Sequence, residues 1–192
     1  IGPLEKGIFN ILQQAGIEHV YTSFPEGRTQ MDIDDIYGSS PQQLETEMEQ
    51  AGTYGSEYVK DMLYSPDYEI FPPQKIYTVK LKLSALGFNG IVTTAEIIGT
   101  KDDVDEHGNP APFTKGRMTK FGLELCPPEI GPRKKIKDKD QLFGHWCYIA
   151  MKPIAGRDGR PRVFSLGRDG DGLWLSYRWA EPGPRWHPEG EF

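Results

Sequence analysis

Residues 31–42 read MDIDDIYGSSPQ and hold the most chemically suggestive spacing in the chain. In Asp32-Ile33-Asp34 an extended backbone puts both carboxylates on one side, about 7 Å apart along the strand. That separation allows two carboxylates to share a divalent cation. Glu96 in TTAEII is the only later acid placed to act as a third oxygen donor. Asp169-Gly-Asp171-Gly172 starts like a calcium loop but lacks the alternating ligands and distal glutamate, so a hairpin turn is expected there. His107, His145, His187, Cys126 and Cys147 never reach the paired spacings of zinc sites. The chain has no Gly-x-Ser-x-Gly elbow and no phosphate-binding glycine loop. We therefore assign no catalytic, cofactor-binding or metal residues and expect no cofactor. The acidic cluster is read as a polar edge that meets solvent or an adjoining subunit, its charge complementing the amino end of the following helix.

One basic concentration, Arg133-Lys-Lys-Ile-Lys-Asp-Lys139, precedes Trp146, Trp174, Tyr177, Trp179 and Trp186. Aromatic platforms beside cations hold single-stranded nucleic acid or sugar. Tyr177 and Trp179, however, lie in phase with Leu173 and Leu175, which makes them core residues and leaves Trp174 on the other face with Ser176 and Arg178. The expectation is core aromatics plus a solvated basic loop.

The elements that position these residues change period along the chain. Leu4, Ile8, Ile11, Leu12 and Ala15 follow Pro3 at helical spacing and stop at Gly16. IEHVYTSF alternates as a short strand. Ser40-Pro41-Gln42-Gln43 is a capping box with proline at the first helical position, leading into Leu44, Met48 and Ala51 before Gly52. SEYVKDMLYS gives a further short helix, and PDYEIFPPQ an extended linker. From Ile76 the period becomes two. IYTVKLKL is expected to bury Tyr77, Val79, Leu81 and Leu83 and to expose Thr78, Lys80 and Lys82. GIVTTAEIIGT, HWCYIAMKPI, RPRVFSL and GLWLSYRW read as further strands, the last three joined by AGRDG and GRDGDG turns. Residues 101–118 form a long polar loop suited to contact with other chains. The fold class is α+β: a short N-terminal helical segment over residues 1–72, then an antiparallel β-meander, sandwich or small barrel over residues 73–192, together one compact unit. The tail WAEPGPRWHPEGEF is proline-broken and either covers a neighbour or lies on its own sheet.

Composition narrows the classes of function. The 192 residues are 37% hydrophobic and 26% charged, enough to bury a core, and carry a net charge of −6, which opposes wrapping of a polyanion. Nucleic-acid contact is expected only locally. No apolar run approaches the roughly 18 residues of a membrane span, and a reduced cysteine pair fits a protein that is neither exported nor membrane-bound. Because the chain begins at Ile1, processing or trimming is expected.

Two resemblances add to this reading. A helix followed by VYTSFPEGRTQMDID is similar to the nucleotidyltransferase pattern, in which a Gly-Ser turn precedes a strand with Asp-x-Asp. Thr22 stands in place of the glycine, and the resemblance implies Mg²⁺-dependent nucleotide chemistry at Ser23, Asp32 and Asp34, with Glu96 as the substitute third acid. Over residues 21–126 the segments DDIYGSSPQ, LSALGFNGIVTTAEI and MTKFGLEL resemble neck and head–tail connector proteins of tailed bacteriophages. That resemblance implies a virion component, oligomeric as a ring, whose partners are copies of itself and other structural proteins. Combined with the residue reading, it gives a non-enzymatic structural or assembly protein, virion-borne or cytoplasmic. The alternatives are the nucleotidyltransferase and a carbohydrate- or nucleic-acid-binding β module using Trp174, Arg178 and the Arg133–Lys139 run.

Overall fold

The computed structural model describes residues 30–183 and 185–192. The helix expected over residues 4–15 and the strand over 17–24 lie outside the described residues. The fold class is α+β, as the change of period implies.

The local rules for helix starts hold where the sequence stated them. α1 (Pro41–Gln50) is capped by Ser40, whose Oγ accepts from the Gln43 backbone while Gln43 Oε1 accepts from the Ser40 N–H. This reciprocal pair satisfies two orphan donors of the first turn. α1 buries Leu44 and Met48. α2 (Glu57–Leu63), capped by Ser56, buries Val59, Met62 and Leu63.

The β framework has three parts. β1 (Gln30–Ile36) pairs antiparallel with β3 (Gln74–Lys80) as a separate ribbon, with Asp34 opposite Ile76 and Asp32 opposite Thr78. The main sheet runs β2 (Tyr54–Gly55), β8 (Gly172–Trp179), β7 (Pro161–Asp169), β5 (Trp146–Tyr148), with β6 (Ile154–Ala155) also on β7. Its centre is the hairpin of β7 (Pro161–Asp169) and β8 (Gly172–Trp179). Against it lie β5 (Trp146–Tyr148) and β6 (Ile154–Ala155), both antiparallel to β7, and β2 (Tyr54–Gly55), parallel to β8. Asp169 Oδ1 accepts from the Asp171 N–H, so Asp169–Gly172 is the expected hairpin turn. Phe164, Leu166 and Leu175 are buried at its centre, where each contributes roughly 1.5–3 kcal/mol. HWCYIAMKPI, expected as one strand, divides into β5 and β6. The third part, β4 (Val92–Thr93) with β9 (Arg185–Trp186), puts the C-terminal segment on its own chain. The tail then hydrogen-bonds back through the carbonyls of Pro188, Gly190 and Phe192 to Ser84, Leu83 and Leu81.

Two strand readings need correction. GIVTTAEIIGT keeps only β4 as strand; residues Thr94–Ile98 form α3, started by a Thr93/Glu96 capping box. In IYTVKLKL the expected faces are inverted at its start. Tyr77 is 39% exposed and Thr78 is buried, and the phase changes beyond Lys80 so that Leu81 and Leu83 are buried. The reason is a buried polar contact: Thr78 Oγ1 donates 2.6 Å to Asp34 Oδ2, diagonally across the ribbon. α4 (Arg117–Lys120) is a single turn that buries Met118.

α5 (Ile130–Lys137) connects these layers. It touches β1 and α1 on one side and β7 and β8 on the other. Gly131 allows this approach, because a Cβ there would stand 2.7 Å from the Phe164 ring.

Candidate functional site

The basic run does not form the expected solvated loop. Arg133 to Lys137 lie within α5, since Pro132 falls in the first turn, where no intrahelical donor is required. Helical geometry then directs successive cations to different layers. Lys134 Nζ lies 2.8 Å from Asp32 Oδ2 and 2.8 Å from Asp34 Oδ2. Lys137 Nζ lies 3.4 Å from Asp34 Oδ1 and 3.2 Å from the Ile33 carbonyl oxygen. The cation shared by the two β1 carboxylates is thus the chain's own ammonium.

For Asp34 this overturns the reading of an edge that meets solvent or a neighbouring subunit, whereas the Asp32 and Asp35 side chains keep 36% and 44% exposure. Asp34 is only 3% exposed, whereas the apolar Ile33 beside it is 43% exposed. Burial alone would raise the Asp34 pKa; hydrogen bonds from Lys134 and Thr78 and the charges of Lys134 and Lys137 outweigh it and hold the carboxyl below its usual range. Burial likewise opposes the charge on Lys134, but its two carboxylate partners prevail and raise its pKa.

One turn earlier an anion site is filled from within. The backbone N–H groups of Tyr37, Gly38 and Ser39 donate to the Glu129 carboxylate at 3.1–3.2 Å. Consecutive N–H groups form an anion-binding concavity when one residue turns left-handed, and Gly38 does so with φ +71°. Arg133 Nε donates 2.9 Å to the same carboxylate, and its terminal nitrogens reach Glu47 and Ser39 Oγ. The guanidinium also covers the Tyr37 ring at 4.6 Å. The YGSS turn is accordingly a clamp around Glu129, itself 3% exposed.

Two further buried cations have different surroundings. Lys135, with no exposed surface, donates to Gln141 Oε1 and to the Gly167 carbonyl oxygen. Burial pushes its pKa down to about 8. Arg162, 1% exposed, pairs with Asp158 at 2.8 Å and lies 5.1, 5.1 and 4.6 Å from the rings of Tyr58, Tyr177 and Trp179. Its Nε and Nη1 have no hydrogen-bond partner among the described residues.

The remaining sequence candidates stay apart. Glu96 is an exposed capping residue that accepts from the Thr93 N–H and hydroxyl. Trp174 Nε1 donates 2.7 Å to Asp169, and Arg178 lies 5.4 Å from the Trp186 ring. Tyr177 packs against the core, as its phase with Leu175 implies. The strip that the alternative reading drew from Trp174, Arg178 and the basic run is not assembled, because Arg133, Lys134 and Lys135 are engaged inside the fold. In the polar loop, Asp103 is buried and accepts from Thr100 and Lys115, while His107 stays at the exposed tip. His145 pairs with Glu191 at 3.0 Å. Ser23 lies outside the described residues. Among the described residues no three His, Cys, Asp or Glu side chains gather as a metal site. Comparison with known protein families, curated sequences and solved structures returns no match. No helix among the described residues is long and apolar enough to cross a membrane.

Sequence reasoning missed a cavity of about 680 Å³ between β3, residues 122–127 and α5. Its floor includes Leu81, Leu86, Ile97, Ile130 and Leu166, all buried, and its rim includes the exposed Gln74, Glu124, Lys137 and Asp138. Cys126 lines it, with its thiol pushed up to about 11 by burial. Only long-range packing creates this space, so no local pattern marks it. Large apolar side chains also stand in solvent: Leu142 is 73% and Phe143 75% exposed on the loop between α5 and β5. Ile33 and Tyr77 form an exposed cross-strand pair on the outer face of the ribbon.

Proposed function

We propose that this chain is a non-enzymatic assembly protein that works through contacts with copies of itself and with other structural proteins, in the manner of the phage neck components it resembles. The observation that carries the reading is the adjacent pair Leu142 and Phe143, with Trp146 39% exposed nearby in sequence. Consecutive apolar side chains held in water cost free energy in a free subunit and mark surfaces that a partner covers. The outer face of the β1–β3 ribbon is a second such surface. The charged groups support the same reading, because the Asp32 and Asp34 carboxylates already share Lys134 and Glu129 already fills the YGSS turn. A ring-forming part of a virion requires interaction surfaces of this kind and no reaction centre.

Size-exclusion chromatography with light scattering tests the proposal. The expected result is a discrete oligomer for the full chain, and a monomer of unchanged circular dichroism for the Leu142→Ser/Phe143→Ser double variant. A wild-type chain that stays monomeric at high concentration and does not co-purify with particles would exclude it.

A further inference from the structure

Leu142 and Phe143 stand on a loop that is tied down at both ends. Gln141, 5% exposed, accepts from the Lys135 ammonium and donates to the His145 and Leu166 carbonyl oxygens. Arg168 Nη1 donates 3.0 Å to the Gln141 carbonyl oxygen, and the Gly144 N–H donates 2.8 Å to that of Arg168. The His145 N–H closes a turn on the Leu142 carbonyl oxygen at 3.1 Å, with Gly144 at φ +73°. Two apolar side chains are thus held outward on ordered backbone, so that little further ordering is lost when a partner covers them.

The charges around this tip are sorted by sign. Lys137 and Lys139 turn inward, onto the carbonyl oxygens of Ile33 and Ala51. Asp138 and Asp140 are exposed and form no ion pair among the described residues, which leaves an acidic collar at the base of the tip. The outer face of the β1–β3 ribbon has the complementary character. Ile33 stands opposite Tyr77, and Asp35 opposite Lys75 in the next row of the same face. The Lys75 side chain is 75% exposed and reaches Asp35 only at 3.6 Å.

Symmetric pairings of two copies fit these surfaces poorly. Tip against tip would bring the Asp138 and Asp140 carboxylates of both copies together, a like-charge juxtaposition that selects against such a contact. Ribbon against ribbon would leave Leu142 and Phe143 in water. Tip on ribbon covers both apolar pairs and sets the acidic collar against the Lys75 ammonium.

We propose that the Leu142–Phe143 tip of one copy seats on the Ile33–Tyr77 face of the next, with the Asp138 and Asp140 collar meeting Lys75. This contact presupposes the assembly role proposed above and makes it head-to-tail. Each copy then uses two different surfaces, and the assembly closes as a ring or runs on as a filament.

Two measurements on the full chain test the contact. Ile33→Ser/Tyr77→Ser is expected to raise the concentration for half-assembly at least tenfold in light scattering, with circular dichroism unchanged. Mild oxidation of an equimolar mixture of Asp140→Cys and Lys75→Cys chains is expected to give a mixed disulfide at least tenfold over either homodimer. The native thiols stay slow in this assay, because burial raises the pKa of both Cys126 and Cys147. An oligomer that survives Ile33→Ser/Tyr77→Ser unchanged, an excess of disulfides between two copies of position 140, or no mixed disulfide from an intact oligomer would each overturn the head-to-tail contact and leave the assembly role standing. A wild-type chain that is monomeric under the same conditions would overturn both.

Discussion

The two faces of α5 treat adjacent lysines in opposite ways. Lys134 points to the β1 ribbon and finds two carboxylates at 2.8 Å, which raise its pKa against the effect of burial. Lys135, one residue on, points to the main sheet and finds a carboxamide and a backbone carbonyl, and burial lowers its pKa to about 8. The rotation of about 100° between successive helical residues carries one ammonium to formal negative charge and the next to neutral dipoles. Burial alone therefore does not decide what a buried cation contributes; the charge of its acceptors does.

Removing the carboxylate that anchors the charged face should give the largest loss of stability. Glu129→Ala leaves three backbone donors and Arg133 Nε without their acceptor while the guanidinium keeps Glu47, and a loss of about 2–3 kcal/mol is expected in urea denaturation. A loss below about 1 kcal/mol would mean that water replaces Glu129 freely and that the clamp is not structural.

The neutral face is tested by pH. Below pH 8 the Lys135 ammonium is charged in both folded and unfolded chains and the folded state bears the whole burial penalty. Between about pH 8 and 10.5 the folded amine has lost its proton while the unfolded one retains it, so stability rises with pH. Relative to Lys135→Met, the wild type should gain on the order of 3 kcal/mol across that interval. The difference between the two proteins cancels the opposite contribution of the thiols, whose raised pKa values favour unfolding above their ordinary range. A flat difference would show that Lys135 is solvated.

Asp34→Asn sharpens the comparison from the side of the acceptor. Asp32 still meets Lys134, so the expected cost is about 2 kcal/mol, typical of a hydrogen bond to a charged group. The Asp34 pKa is depressed on folding, so its contribution is complete above the ordinary value of 3.8 and is lost as pH falls toward the folded value. Acid titration of the variant should accordingly be shallower than that of the wild type, and parallel curves would refute the pairing. Thr78→Val should cost least, about 1 kcal/mol, and close to nothing when Asp34 is already alanine, because the two groups share one hydrogen bond.

Local chemistry was legible in the sequence. Ser40 to Gln43 announced α1 because both caps lie within four residues, and Asp169 to Gly172 announced the β7–β8 hairpin because turn residues encode their own backbone geometry. Thr93-x-x-Glu96 carried the same kind of signal for α3, and the β-branched residues around it led to a strand reading. The segment MDIDDI could not be read correctly from its own pattern. Its alternation places Ile33 inward by hydrophobicity, yet Asp34 is the inward residue, because Lys134, a hundred positions later in sequence, lies beneath it.

The amino-acid order by itself fixed helix caps, turn types and the β7–β8 alternation, since each depends on interactions within a few residues. Tertiary structure alone decided which face of β1 turns inward, which cation meets which anion, and that a cavity stands beneath β3. Those outcomes depend on Coulombic pairing and packing between segments far apart in the chain, and a buried charge takes the face where its counter-charge stands even when an apolar neighbour is then left in water.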